Sequence, residues 1–595
     1  MGKSVGDQLY DVWQKFLSLS KKIFLDNYAI FIFIFVLVIL GVIIYYYGLS
    51  PFLAIIALIP TYGYTILKEF QQNTKFKNSG SAADYNKGPK VLFWILDGCN
   101  IPAFIDVAQQ NPDLRILFEE GYFAKCVTIF PSITPAAHST LMTGCYPSKH
   151  RVPAFDWVEV TPKYDGSISK EYIRVMPDFK RYVEAFSQKR ARQKFFSSLG
   201  DAFYLNQKIL SPMVTTIYEA RKKELYTASI TEWIHRGADR FISQSISSLM
   251  EDLANKKIIE KNSMFGLLSA IYKEVNYEYS GLIWGSERTQ IIDDLMVYWK
   301  SGTDTMSHEF GPGSFQLRQE IEDGISKLAE TIRFYKMYSD QPLYIVISSD
   351  HSQSEVTGYS NLPGDFKQTL GGAYIVAGQE DKANNEVLKK AEIIFANNDR
   401  AALIYIFCSP ERKDAAECDI LEFLKKRSDV DLILYRDSDA FQVIQVLQNG
   451  SCSGPEDIKT FFSGKEESYP NAVERLEGLM MGDKWGDIVI SMKEGYSMNS
   501  EFKPSKEGEE MLHGDHGGLN SSDSLVPLLF WGPKITPNPK DQPFKIFRTV
   551  DIAPTIATIF EDTHPNTDGR SLDEIFVEGK QTDPKDFIPA KEKNL

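Results

Sequence analysis

The chain has 595 residues, with 65 Lys and Arg against 79 Asp and Glu and a formal charge of −14. That acidity repels phosphate backbones, and no block of basic residues offers a footprint, so a nucleic acid duplex is excluded as the principal partner. Hydrophobic residues make up 43% and charged residues 24%, which fits neither a disordered chain nor a polytopic transporter and leaves a mostly soluble body of one large or two to three smaller domains.

After an N-terminal flank (1–28), Ala29 to Tyr47 is uncharged and long enough to cross a ~30 Å hydrocarbon layer as a helix. The charged leader is too long for a signal peptide and no small-x-small site follows, so a retained membrane anchor is expected. Beyond Gly48-Leu49-Ser50-Pro51, Phe52 to Leu67 is a second uncharged run, short for a span. It either returns as the other arm of a transmembrane hairpin over 29–67 or lies at the interface, leaving a single pass. Lys15, Lys21 and Lys22 precede the runs and Lys68, Lys75 and Lys77 follow them. A hairpin places both flanks in the cytoplasm, and a single crossing puts the bulk of the chain on the opposite face. A bilayer is therefore an expected partner, with the face open.

Residues 68–88 are polar and rich in Gly, Ser and Asn, as a linker is, and a catalytic domain over 89–580 with a tail at 581–595 follows. Val91 to Gly98 (VLFWILDG), Leu295 to Asp304, Leu343 to His351 and Val526 to Pro533 are short apolar runs bounded by Gly, Pro or Asp, which predicts strands buried on both faces. Helical stretches separate them. The alternation predicts an α/β fold with a mostly parallel sheet and helices on both faces. Two insertions interrupt it. One, at about 156–286, is rich in helical and aromatic segments and reads as a lid. The other, at about 358–512, contains the strand-like runs AYIVAG, ALIYIFCS, VDLILYRD and AFQVIQVL and reads as a further mixed sheet.

Three of the four strand candidates end in Asp: Asp97, Asp304 and Asp350. Ligands of open α/β sheets bind beyond the carboxyl ends of strands, so these side chains are expected in one crevice. An isolated Asp after a strand is an ordinary turn residue. The neighbours change that balance: His308 follows Asp304 by four, His351 adjoins Asp350, and His516 lies in HGGLN ahead of the last strand. Carboxylates mixed with imidazoles, without thiolates, suit Zn²⁺ or Mn²⁺ better than Ca²⁺, and the ligands suffice for two ions. The six cysteines are widely spaced and contain no CxxC, so neither a disulfide scaffold nor a thiolate zinc site is expected. Thr134, before Pro135 and a helical run, reads as an N-cap, the common role of such a residue. A hydroxyl at a helix N-terminus beside a divalent ion is also a candidate nucleophile, and the same place attracts phosphate.

In chain order, ILDG, PSITPAAHSTLMTG with YPSKH, TDTMSHEFGP, SSDHS and HGGLNSSDSLVPLLFWGP together resemble the alkaline phosphatase superfamily, in its nucleotide pyrophosphatase/phosphodiesterase branch. DIAPTIATIF with DGRSL resembles the C-terminal end of that branch. The resemblance runs in segments from about Pro89 to Phe576 and leaves the insertions and the membrane end unmatched. It implies an alkaline-phosphatase-like fold, with one metal held by Asp304, His308 and His516 and the other by Asp97, Asp350 and His351. Thr134 would be the nucleophile bridging toward the second ion, forming a phosphothreonine that water hydrolyses. The implied substrate is a phosphoester small molecule, and proximity to a bilayer adds a lipid headgroup as the other candidate. A phosphoryl or headgroup transferase acting on lipid or glycan acceptors, and an inactive scaffold, are the competing readings.

Departures from the branch are local. Where it usually has HG and then a phosphate-binding Asn, this chain has His150-Arg151 and Phe155, which leaves Lys149, Arg151 or Lys300 as substitutes or points to reduced activity or an unusual substrate. His513 competes with His516, but the spacing to LNSSDSLVPL favours His516. Cys145-Tyr-Pro-Ser-Lys149 is similar to the sulfatase signature but carries Lys for Arg and follows the helix. For His138 and His150 a packing or surface role is expected.

Overall fold

The computed structural model describes residues 88–162, 168–175, 205–220, 225–242, 292–381, 384–437, 440–447, 449–480, 482, 484–499, 513–539 and 542–577. Both apolar runs, 29–47 and 52–67, lie outside these residues, as do the N-terminal flank and 581–595. Among the described residues no helix is long and apolar enough to cross a membrane.

The central sheet has eight strands: Lys90–Leu96 (β1), Tyr122–Val127 (β2), Thr227–Ile230 (β3), Arg240–Ile242 (β4), Leu295–Lys300 (β5), Leu343–Ser348 (β6), Leu525–Trp531 (β7) and Ile546–Arg548 (β8), in the order β8-β2-β7-β6-β1-β5-β3-β4. Every residue of β1 is buried. That is the signature of a strand covered on both faces. Helices Ile101–Gln110 (α1), Pro112–Glu120 (α2), Thr134–Thr143 (α3), Gly302–Phe310 (α4) and Phe315–Tyr338 (α5) flank the sheet's chain path. Leu92, Trp94 and Leu96 enter one core with side chains of α1, α2 and α5, whereas Val91, Phe93 and Ile95 enter another with side chains of α3. The period of two divides one strand between two cores, and each large apolar side chain so buried contributes about 1.5–3 kcal/mol. At the start of β1, Lys90 Nζ lies 2.5 Å from Asp294 Oδ1, both buried, which ties the entry of β1 to that of β5.

The sheet is mixed. β1 runs parallel to β5 and β6, but β7 is antiparallel to both β2 and β6. This reversal matters for function, because the start of β7 falls at the edge where β1, β5 and β6 end. Leu528 in β7 pairs with Ser348, the last residue of β6. A segment preceding β7 thereby reaches the same edge as segments following the parallel strands.

Residues 376–492 contribute a second sheet of seven strands, with Ile393–Asn398, Ala401–Ile406, Ile488–Met492, Val430–Asp437 and Ala440–Gln445 as its body. All four strand-like runs read from the sequence supply a strand to it. Ile393–Asn398 and Ile488–Met492 were not among them, because one ends in two Asn and the other is only five residues long. Part of the 156–286 stretch, expected as a lid, instead extends the central sheet: β3 and β4 lie there. The same stretch holds the hairpin Asp156–Pro162 with Ile168–Arg174.

Candidate active site

The three carboxylates reach one place by different routes. Asp97 follows β1 directly, and Asp350 and His351 follow β6. Asp304 does not end a strand, as its sequence position suggested. It sits in the first turn of α4, where the N-terminal dipole favours a carboxylate, and His308 lies one turn on along the same face. His516 precedes β7 and arrives because that strand is reversed. Gly98 makes the convergence possible: at φ +61° it turns the chain after Asp97, and a Cβ there would lie 2.7 Å from Asp304 Oδ1.

Two groups of ligand atoms result, Asp304 with His308 and His516, and Asp97 with Asp350 and His351, each drawn together within 4.8 Å. In the first, Asp304 lies 3.3 Å from His308 Nε2 and 3.8 Å from His516 Nε2. In the second, His351 Nε2 is 3.5 Å from Asp97 Oδ1 and 3.3 Å from Asp350 Oδ2. The groups adjoin, since the His351 and His516 rings stack with centroids 3.6 Å apart. Thr134 Oγ1 is 3.1 Å from His351 Nε2. All seven residues singled out from the sequence therefore meet in one place. His513 stays outside, exposed, with its backbone bonded to His308 and Val356.

Thr134 is not the N-cap of α3. Ile133 occupies that position without a side-chain cap bond, and Thr134 is the first helical residue, so its hydroxyl serves the site instead of the helix end.

The histidines are held ready as ligands. His308 Nδ1 faces Gly514 O at 2.7 Å, His516 Nδ1 faces Ser132 O at 2.9 Å and His351 Nδ1 faces Ser352 O at 3.2 Å. A carbonyl only accepts, so each Nδ1 donates and Nε2 is left for a ligand. The carboxylates fit cations for a second reason. Among the described residues Asp97 Oδ1 and Asp350 Oδ2 are buried without a hydrogen-bond partner, and such atoms are costly unless something positive meets them. Burial, then the charges of Asp350 and Asp304, hold the Asp97 carboxyl well above the usual range. Burial also pushes Asp304 and Asp350 up, but the imidazoles of His308 and of His351 with His138 outweigh it and leave both below that range. Against burial, Asp304 pushes His308 up to about 10. Burial and the neighbouring His351 keep His516 well below its ordinary value. The donor set thus fits divalent cations.

Sequence reasoning missed the supporting residues. Gln353, two residues beyond His351, donates from its amide to Asp304. His138, expected to pack or face solvent, is buried and bonded to Glu232 beside Asp350. His150 does pack, accepting from Val152 N and meeting Thr140 Oγ1. Two proposed stand-ins for the missing phosphate-binding Asn are engaged elsewhere: Lys300 pairs with Glu320 and Asp323, and Lys149 with Asp568. The segment after Phe155 is pinned to the second sheet, because Asn398 accepts from Asp156 N and donates to Asp156 O, each at 2.9 Å.

Residues 91–519 match the family of type I phosphodiesterases/nucleotide pyrophosphatases. The chain belongs to that family. It is accordingly a phosphoric ester hydrolase, and all seven site residues fall inside the match. Among curated relatives of this family member, the alkaline phosphatase PafA of Elizabethkingia meningoseptica is 23% identical over 523 residues, covering 76% of this chain and 87% of that protein. The alkaline phosphatase PhoV of Synechococcus elongatus is 22% identical over 282 residues, 46% of this chain and 43% of that one. Solved structures of ectonucleotide pyrophosphatase/phosphodiesterase 5 from mouse and human are each 14% identical. Their TM-scores are 0.46 and 0.47, and each match covers 82% of this chain and 100% or 99% of the other.

Proposed function

We propose that this chain hydrolyses phosphodiester or pyrophosphate bonds using two divalent cations and Thr134 as nucleophile. Asp304, His308 and His516 would hold one ion and Asp97, Asp350 and His351 the other. Zn²⁺ suits this mixture of imidazole and carboxylate best, and Mn²⁺ is the alternative. The observation that carries the reading is the 3.1 Å approach of Thr134 Oγ1 to His351 Nε2, which sets a buried hydroxyl against the second ligand group. Bound ions would supply Lewis-acid stabilisation of the attacking and leaving oxygens.

The chain's own residues do the rest. The N-terminal amides of α3 favour an anionic phosphoryl group beside Thr134. Thr134 Oγ1 attacks phosphorus, one P–O bond breaks and its oxygen leaves with the hydroxyl proton, and Thr134 carries a phosphoryl group that keeps the diester's other substituent until water opens the Thr–O–P bond and returns the hydroxyl. The carbonyls of Gly514, Ser132 and Ser352 keep the three imidazoles in one tautomer throughout. Lys300 and Lys149 are spent on carboxylates and Phe155 offers no donor. With Phe155 in place of the Asn, the single charge of a diester needs less compensation than the two charges of a monoester. That favours diesters as the substrate, either a small molecule or a lipid headgroup.

Metal uptake supplies a test. With its pKa pushed up to about 10 by Asp304, His308 is protonated at pH 8 in the metal-free protein and must lose that proton to become a ligand. Zinc affinity should therefore rise with pH until about pH 10. Calorimetry at pH 8 in buffers of different ionisation enthalpy should report proton release. Identical heats in all buffers would count against ligation by His308.

We also propose that Ala29 to Tyr47 anchors the chain in a bilayer, on the strength of its uncharged length. The full chain should stay in the membrane pellet through an alkaline carbonate wash and leave only with detergent. Release by carbonate alone would refute the anchor.

A further inference from the structure

His138 lies one turn after Thr134 on α3 and is wholly buried. Its Nδ1 is 2.7 and 2.8 Å from the two carboxylate oxygens of Glu232, which is buried in the turn after β3 and also accepts from Ile234 N. Its Nε2 is 3.4 Å from Asp350 Oδ2, an ion-pair distance between two buried atoms neither of which has a hydrogen-bond partner among the described residues. The Trp299 ring closes over the imidazole edge-on, with centroids 5.0 Å apart. An imidazole held between two carboxylates and sealed from water turns one nitrogen to each, Nδ1 to Glu232 and Nε2 to Asp350. A buried Glu in such surroundings is costly unless it is paired, and here its partner reaches on to a candidate metal ligand.

We propose that Glu232 braces His138 and that His138 positions Asp350 toward the cation of the Asp97, Asp350 and His351 group. The proposal rests on the two-ion reading above and assigns these two residues a role in orienting a ligand, with no contact to substrate. One helix then sets both the nucleophile and the carboxylate next to it, which couples their geometry. Outer partners of ligating groups act in this way, and their loss typically weakens metal binding by about 10–100-fold.

Two near-isosteric variants of the full-length protein test it. In His138→Asn the amide nitrogen falls near the position of Nδ1 and cannot reach Asp350. In His138→Gln it extends to about the position of Nε2 and keeps a donor there. Zinc affinities would be measured by competition with a chromophoric chelator, alongside circular dichroism of the metal-free forms. The expected result is two zinc ions on the wild-type protein. In His138→Asn one of them should be weakened about 10–100-fold with the other unchanged, and His138→Gln should recover most of the loss. Equal affinities in the two variants, or equal weakening of both ions, would overturn the positioning role. A wild-type protein that takes up fewer than two zinc ions would instead overturn the metal reading on which it rests.

Discussion

Replacing Thr134 with Ala should lower turnover of a p-nitrophenyl phosphodiester by at least about 10⁴-fold while two zinc ions stay bound. The size follows from the role: without the hydroxyl no covalent intermediate forms, and only positioning and electrostatics remain. Metal retention follows from the geometry, because each ligand group keeps its three protein donors. The hydroxyl makes no cap bond, so α3 loses little stability and the fold should survive. Rapid acid quenching of the wild-type reaction should leave on Thr134 the phosphoryl group with its remaining ester substituent, detectable by mass spectrometry. Turnover retained in Thr134→Ala with intact metal content would remove Thr134 from the mechanism.

Stripping the metals should have an effect of the same order. Asp304 and Asp350 would then face an anionic substrate with no divalent cation between them. At ~4 Å and an effective dielectric constant of about 20, each such pair of like charges costs about 4 kcal/mol. A site that attracts phosphate would become one that repels it. Turnover after exhaustive chelation should fall to background. Zn²⁺ or Mn²⁺ should restore it and Ca²⁺ should not, since three compact donors per group, including imidazoles, do not meet the demand of Ca²⁺ for six to eight oxygens. Full activity after verified metal removal would refute the two-ion reading.

Much of this architecture is legible in the chain. VLFWILDG announces a strand covered on both faces by its unbroken apolar run, and the Gly that follows Asp97 is required by the approach of Asp304. Asp304 with His308 is readable as a ligand pair because a spacing of four is local to one helical face. The second sheet was visible through four of its strands for the same local reason.

Other features are not local and were misread or missed. Thr134 looked like a cap because Thr before Pro at a helix start ordinarily is one. Only the position of His351, more than 200 residues away, shows where the hydroxyl goes. Lys300 reads as available for phosphate in the sequence, but Glu320 and Asp323 of α5 pair with it. Glu232 and His138 carry no signal at all, since a lone Glu after a short strand and a lone His in a helix are unremarkable until the fold buries them against each other.

Residue type and short-range spacing were enough to determine which side chains carry the chemistry, because metal-ligand identity and strand burial are written within a few residues. Which of those side chains meet, and what holds them, was decided by the tertiary structure. The reversed direction of β7 brings His516 to the edge where β1 and β6 end, and burial converts ordinary polar residues such as His138 and Glu232 into obligate partners. Strand direction and burial both depend on contacts between segments far apart in the chain, 94 residues for His138 and Glu232, and no local pattern encodes them.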